Sequence, residues 1–262
     1  MGSATRGSLG EARAALAQVP EVRLETAEQL LQAGRVIGSS NQLRNLLGDP
    51  GLETSDKTEI VRRVFSGSLD GIALQLVTSI AGDRWSSDDD LLEAIEELGL
   101  RAAARSADFG TDIVGELFEF GRAVRSNPSL ELAVSSKLGT AAAKASLVTE
   151  LLAGASQQTR LIVSHLVQQP RGRRISELLR SAAAVVSDES GRLVATVTVA
   201  RPIAGEQLER LREGLARAYG RNVAINQVID ESVIGGLRVQ IGNDVIDGSV
   251  ATKLNDLRLQ LA

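Results

Sequence analysis

Residues 228–261 read VIDESVIGGLRVQIGNDVIDGSVATKLNDLRLQL. The five residues Leu237 to Ile241 alternate strictly between apolar and polar, the period of a strand with one buried face. Gly242-Asn243 follows, a dipeptide that closes a tight hairpin because glycine accepts positive φ without a Cβ clash. Asp244 to Asp247 then starts the return strand. Ser249 is placed to cap a last helix carrying Val250, Leu254, Leu257 and Leu261 on one face. Gly235-Gly236 stand just before the hairpin, where a side chain would obstruct a turn or a close backbone approach.

Working upstream, Leu193 to Ala200 is β-branched and alternates from Val197 onward, so it reads as a strand ended by Pro202. Glu206 to Tyr219 is an amphipathic helix on Leu208, Leu211 and Leu215, stopped by Gly220. Val223, Ile225 and Val228-Ile229 give the next strand. The order strand, helix, strand, hairpin, helix makes a small α/β domain.

These residues also resemble a known family. Asp230, Ile234-Gly235-Gly236, Gly242 and Val245-Ile246-Asp247-Gly248-Ser249-Val250, followed by a Leu-rich helix, look like the C-terminal signature of the delta subunit of F-type ATP synthases. The mitochondrial member of that family is the oligomycin-sensitivity-conferring protein. The similarity continues upstream through Val197-Thr198-Val199-Ala200, Pro202, Leu208, Leu211, Leu215, Gly220 and Val223. From it we take Asp230, Gly235, Gly236, Gly242, Asp247 and Ser249 as the structural motif of the family.

The rest of the chain is helical in pattern. Leu9 to Val19 is Ala-rich and ends at Pro20. Two patterns lie between Glu21 and Leu47, separated by Gly38-Ser39-Ser40, and Asp49-Pro50-Gly51 marks a turn. Ser55 to Phe65 is expected to point Ile60, Val61 and Val64 inward, and Ile72 to Ile80 is a further apolar helix. Ser86-Ser87-Asp88-Asp89-Asp90 sits where a cap belongs, with acids favourable to the helix dipole.

The pattern then recurs. Gly34-Arg35 returns 87 residues later as Gly121-Arg122. In the same gapless register Leu30 matches Leu117, Ser39 matches Ser126, Leu43 matches Leu130, Lys57 matches Lys144 and Val61 matches Val148. Gly67 with Gly154, Leu74 with Leu161, Arg84 with Arg171, and Leu91-Leu92 with Leu178-Leu179 extend it. A period this long, occurring twice, indicates paired helical domains rather than a solenoid. The expected organisation is an extra helical bundle at 1–95, the family's helical bundle at 96–190 and an α/β domain at 191–262. The fold class is α plus α/β: two tandem bundles and a small C-terminal α/β domain with a hairpin and terminal helix. The family usually has one bundle, of about six helices, so the first copy is the extra one. The chain carries no membrane anchor and corresponds to the form not fused to the stalk subunit.

Composition bounds the chemistry. Of 262 residues 43% are hydrophobic but only 2% aromatic, so the cores are aliphatic. The net charge of -4 argues against a general nucleic-acid binder. There is no cysteine, hence no disulfide or thiol chemistry. No run approaches the ~18–20 apolar residues that span a bilayer. Met1 to Arg6 lacks a signal-peptide core, and Arg6 occupies the position where a myristoylation motif needs Ser or Thr.

No catalytic constellation is legible. The sole histidine, His165, has neither a cysteine nor a second histidine to work with, so it reads as a packed side chain. The glycines at 235–242 lack a following Lys-Ser or Lys-Thr and the G-x-G-x-x-G spacing, which excludes the common phosphate loops. Asp88-Asp89-Asp90 points in different directions on one helical turn, so it reads as a cap rather than a metal cage. Arg171-Gly172-Arg173-Arg174 is the densest basic patch; it reads as a solvated loop, or as the face for an acidic protein partner. The apolar faces Leu9 to Leu16 and Leu100 to Ala104 either take an incoming amphipathic helix or are satisfied inside the bundle.

The resemblance implies a stator subunit with no active site, cofactor or metal of its own. It implies a helical bundle bound to N-terminal segments of the catalytic head's alpha subunits and a C-terminal domain bound to peripheral-stalk subunit b. It also implies a peripheral position on the cytoplasmic face of the cell membrane, reached only through partner subunits. The rival readings are a helical adaptor unrelated to the synthase and, last, an enzyme with an unrecognised site.

Overall fold

A computed structural model describes residues 2–108, 110–135, 139–233, 235–242 and 244–248. The chain divides into two compact units, 1–186 and 187–262. The first is all helical: α1 (Ser3–Ala17), α2 (Leu24–Ser39), α3 (Asn41–Gly48), α4 (Thr54–Phe65), α5 (Gly71–Gly82), α6 (Asp88–Arg105), α7 (Ile113–Ser126), α8 (Pro128–Ser135), α9 (Ala141–Leu151), α10 (Gln157–Gln168) and α11 (Ile175–Glu189). The second holds β1 (Leu193–Val199), α12 (Gly205–Tyr219), β2 (Val223–Ile229), β3 (Leu237–Ile241) and β4 (Asp244–Asp247).

Helix ends follow the sequence cues. Ser40, Asp70, Ser87, Asp112, Thr140 and Ser156 each cap a helix through a side-chain oxygen. The aspartates after Ser87 are engaged locally. Asp90 Oδ2 accepts from Thr5 Oγ1 at 2.7 Å, and Asp88 pairs with Arg44 at 2.9 Å. On α4 the inward face differs from the expected one. Lys57, Val61 and Phe65 are buried while Val64 is 41% exposed, because i, i+4, i+8 spacing puts Lys57 in the stripe and Val64 beside it.

The helices of the first unit recur in order. α1 to α6 and α6 to α11 begin between 85 and 89 residues apart. Side-chain details recur with them. Ser39 Oγ donates to Val36 O and Ser126 Oγ to Ala123 O. Gln29 accepts from the Asp70 amide at the start of α5, and Glu116 accepts from the Ser156 amide at the start of α10. Lys57 and Lys144 are both buried, and Lys144 Nζ donates to the Val167 carbonyl in the last turn of α10.

Two features depart from a gapless tandem. Burial matches α5 to α10 at a spacing of 86 residues, not 87: Ala73, Leu76, Val77, Ile80 and Ala81 against Thr159, Ile162, Val163, Leu166 and Val167. The preceding helix, α9, is one residue shorter than α4, 11 residues against 12, and this shifts the register for α10 alone. Position 95/96 lies in the middle of α6, which closes the first six helices and opens the second six. α6 is accordingly buried on nearly every side, from Leu91 and Leu92 through Leu98 to Ala103. The faces Leu9 to Leu16 and Leu100 to Ala104 are spent inside this packing. Leu9, Ala12, Leu16, Leu100, Ala102 and Ala103 are all buried, and Arg105 donates to the Leu16 and Val19 carbonyls.

In the second unit the strand order is β2-β1-β3-β4. β1 is parallel to β2 across α12 and antiparallel to β3, which pairs antiparallel with β4. One face of β1 (Ala195, Val197, Val199) joins Leu215 of α12, Val223, Val239 and Ile241 in an aliphatic core. Gly220, at φ 65°, ends α12 in the left-handed conformation expected of it. The expected terminal helix at 249–262, with Ile234 and Asn243, lies outside the described residues.

Close packing at α6 makes a checkable contrast. A Cβ on Gly99 would lie 2.7 Å from Leu31 Cγ, and Leu31 is fully buried. Nothing lies within 4 Å of a Cβ on Gly10. Gly99→Ala is expected to lower the urea midpoint, whereas Gly10→Ala raises stability by about 1 kcal/mol through helix propensity.

Candidate interaction surfaces

The one histidine is part of a buried ion cluster centred on α6. Glu96, with its side chain 10% exposed, takes Arg171 Nη2 at 2.7 Å and Arg173 Nη2 at 2.9 Å. His165, 1% exposed, lies with Nε2 3.4 Å from the same carboxylate and Nδ1 3.1 Å from Arg35 Nη1. Arginine only donates, so Nδ1 accepts and Nε2 carries the ring proton. Burial, reinforced by Arg35 and Arg171, holds His165 below its ordinary range against the pull of Glu96. The ring is therefore neutral at pH 7. Burial alone would raise the Glu96 carboxyl. The hydrogen bond to His165 and the charges of Arg171 and Arg173 outweigh it and bring the group down to about 2. The two arginines, at 2.7 and 2.9 Å, are the main hold, because 3.4 Å to His165 is long for a hydrogen bond.

This revises the reading of Arg171-Gly172-Arg173-Arg174. Two of its three arginines are spent on an internal acid, not on solvent or an acidic partner. Glu96 lies 75 and 77 residues from them, beyond the reach of a local pattern. Its placement mid-helix among leucines was the available cue: a carboxylate in an apolar stripe needs cations nearby. Among the described residues no group of three or more His, Asp and Glu side chains is placed to hold a metal ion.

The residues expected to form a structural motif fall in the second unit. Asp230 ends β2, its amide donating to the Val199 carbonyl at 2.9 Å. Its Oδ1 accepts from the Ser232 amide and hydroxyl at 2.9 and 2.6 Å, and these hydrogen bonds lower its carboxyl pKa. Gly235, Gly236 and Gly242 have φ of 66°, 77° and 57°, a region that costs an L residue about 1–2 kcal/mol. Asp247 ends β4 opposite Arg238, and Gly248 donates to the Leu237 carbonyl at 2.9 Å. Ser249 lies outside the described residues. The described residues among them thus stand at turns and strand ends.

Gly235 and Gly236 also form one wall of an open cleft of about 600 Å³. Val199, Pro202, Ile203 and Leu211 form its apolar part. Nearby, Val245 and Ile246 on the edge strand β4 are about half exposed. A second open cleft, of about 480 Å³, lies in the helical unit between α8, α10 and α11, and Leu132 at its rim is 71% exposed.

Glu96→Gln would leave Arg171 and Arg173 facing a neutral amide. Losing one member of such a pair costs on the order of 3 kcal/mol. Because the folded carboxyl is depressed from 4.5 to about 2, its contribution is present above pH 4.5 and lost as pH falls toward 2. Urea titrations should show a large gap between wild type and variant at pH 7 that shrinks by pH 3. In the C-terminal unit, Gly236→Val forces a β-branched residue to positive φ. It should lower the melting temperature followed by circular dichroism, and an unchanged melt would free the glycine for another role.

The chain is similar to proteins of one family. The family description "ATP synthase delta (OSCP) subunit" matches residues 99–261, starting inside α6. A protein of Leifsonia xyli named ATP synthase subunit delta is 51% identical, covering 100% of both chains. One of the same name from Streptomyces avermitilis is 39% identical over 91% of this chain and 89% of its own. A chain of the Toxoplasma gondii mitochondrial ATP synthase hexamer matches with a TM-score of 0.40 at 20% identity, covering 63% of this chain and 96% of that one. The residues N-terminal to the family description are thus also matched by the Leifsonia xyli protein. The chain belongs to the ATP synthase delta (OSCP) subunit family and is a peripheral-stalk subunit.

Proposed function

We propose that this chain ties the catalytic head of a proton-translocating F-type ATP synthase to its membrane sector and performs no catalysis itself. The observation that carries the reading is the match, along the whole chain, to a protein named ATP synthase subunit delta. It also sets aside the unrelated-adaptor reading. The helical unit would hold N-terminal segments of the head's alpha subunits. The C-terminal unit would hold peripheral-stalk subunit b, for which the glycine-walled cleft and half-exposed Val245 and Ile246 are the available apolar surface. Among the described residues no helix is long and apolar enough to cross a membrane. Attachment would run through partner subunits, on the cytoplasmic face. Asp230, Gly235, Gly236, Gly242, Asp247 and Ser249 serve as the scaffold of the stalk-binding unit.

The domain organisation we propose is a duplication in which the two copies share α6. A cut at 95/96 would split that helix, so binding is best read on the intact chain. The full-length protein should co-sediment with the purified head and, separately, with the soluble part of subunit b, and should release no phosphate from ATP alone. Failure to bind either partner would remove the stator role, and steady hydrolysis by the purified chain would remove the non-catalytic one.

A further inference from the structure

Helix α2 belongs to the first set of helices but also touches the second, at α10. Two hydrogen bonds carry that contact. Arg35 Nη1 donates to His165 Nδ1 at 3.1 Å, and Gln169 Nε2, just after α10, donates to the Gly34 carbonyl at 3.4 Å. The second is long for a hydrogen bond, so the link from Arg35 to His165 is the stronger. The helices come close here: a Cβ on Gly38 would collide with the Gln169 amide.

The stronger link depends on a missing proton. A guanidinium has donors only, so Nδ1 can take the Arg35 bond only while it is unprotonated. Nε2, on the other edge of the ring, carries the proton and lies 3.4 Å from Glu96 of α6. A second proton on the ring would go to Nδ1. It would set donor against donor and cation against cation across 3.1 Å, and it would strengthen the pull of Glu96. His165 is 1% exposed, so water does little to screen either effect. One proton thus works against α2 and for α6.

The charged groups around α10 have set places. α2 presents Arg35, with exposed Glu28 two turns before it. α6 presents Glu96, and the turn after α10 presents Arg171 and Arg173, both on Glu96. Lys144 of α9 donates to the Val167 carbonyl, and Glu116 of α7 accepts from Ser156 and Thr159. Arg160 of α10 itself donates to the Ala153 carbonyl. Glu96, held at about 2, keeps its charge at pH 5. Burial, with Arg35 and Arg171, holds His165 below its ordinary 6.5 against Glu96. The neutral ring's contribution to stability is therefore complete above pH 6.5 and lost as pH falls through the lower folded value.

We propose that His165 is a proton-operated latch between the two sets of helices: neutral, it holds α2 against α10 through Arg35; protonated, it releases Arg35 and frees α2 from α10. The inference goes beyond the stator reading, because it makes a contact inside the helical unit answer to pH.

The chain has one histidine, so isotope-labelled histidine reports this ring alone in nuclear magnetic resonance spectra of the intact chain. At pH 7.5 the nitrogen shifts should place the proton on Nε2, and the ring should titrate below pH 6.5. Hydrogen exchange, corrected for its intrinsic rate, should follow that titration. Amides of residues 36–39 on α2 should lose protection about tenfold between pH 7.5 and pH 5, the scale of a hydrogen bond to a charged group. Amides of residues 95–102 on α6 should keep theirs. His165→Gln retains an acceptor for Arg35 but gains no proton, so its α2 protection should be the same at both pH values. Arg35→Met removes the latch from the other side: α2 protection should be low at both, and His165 should titrate at higher pH. A merely structural histidine would not give this pair of pH profiles. Asp83, raised to about 6, favours the folded chain as pH falls, but it is common to all three proteins and cancels between them. A wild-type ring still neutral at pH 5, or α2 protection that ignores its titration or falls equally in His165→Gln, overturns the proposal.

Discussion

A carboxylate that folding takes out of water has to be met by cations, and Glu96 is met by two from a single loop. The side chain comes from α6, Arg171 and Arg173 from the turn after α10, and His165 from α10 itself. Arg35 of α2 closes the set. Helices from both halves of the helical unit therefore converge on one buried charge. Much of the remaining packing follows from α6 being in that position. It is lined by leucine and alanine on nearly every side, so α1, α2 and α5 bury against it, as does α10.

The α/β unit was legible because its signals are local. Alternation at Leu237–Ile241, glycine at a turn and β-branching at Val197–Val199 each state their conformation within five or six residues. Val239 and Ile241 are buried as the alternation requires. The long-period recurrence was also legible, since it needs only residue identities at one spacing. Its one-residue slip at α5 was not, because apolar residues at both spacings satisfy a gapless match. Only burial separates Leu76 against Ile162 from Leu74 against Leu161.

What the sequence hid were pairings across distance. The basic run at 171–174 looks like a surface for a partner until Glu96 is placed beside it. Lys57 looks like a solvated residue of α4, yet it is 3% exposed. The apolar stretches at Leu9–Leu16 and Leu100–Ala104 looked equally suited to an incoming helix; they are spent inside the helical unit. In each case the deciding quantity is what another helix presents, and periodicity along one helix carries no record of it.

Helix sharing has a mechanical consequence. Two bundles joined by a linker would meet at a hinge, and a hinge yields under load before either bundle does. Here the joint is an 18-residue helix with backbone hydrogen bonds through its length and side chains packed around it. Bending it means breaking those bonds together rather than turning one or two dihedrals. A part that must resist torque without stretching gains from such a joint, because load passing between the two sets of helices runs through a helix both of them pack on and not through a linker.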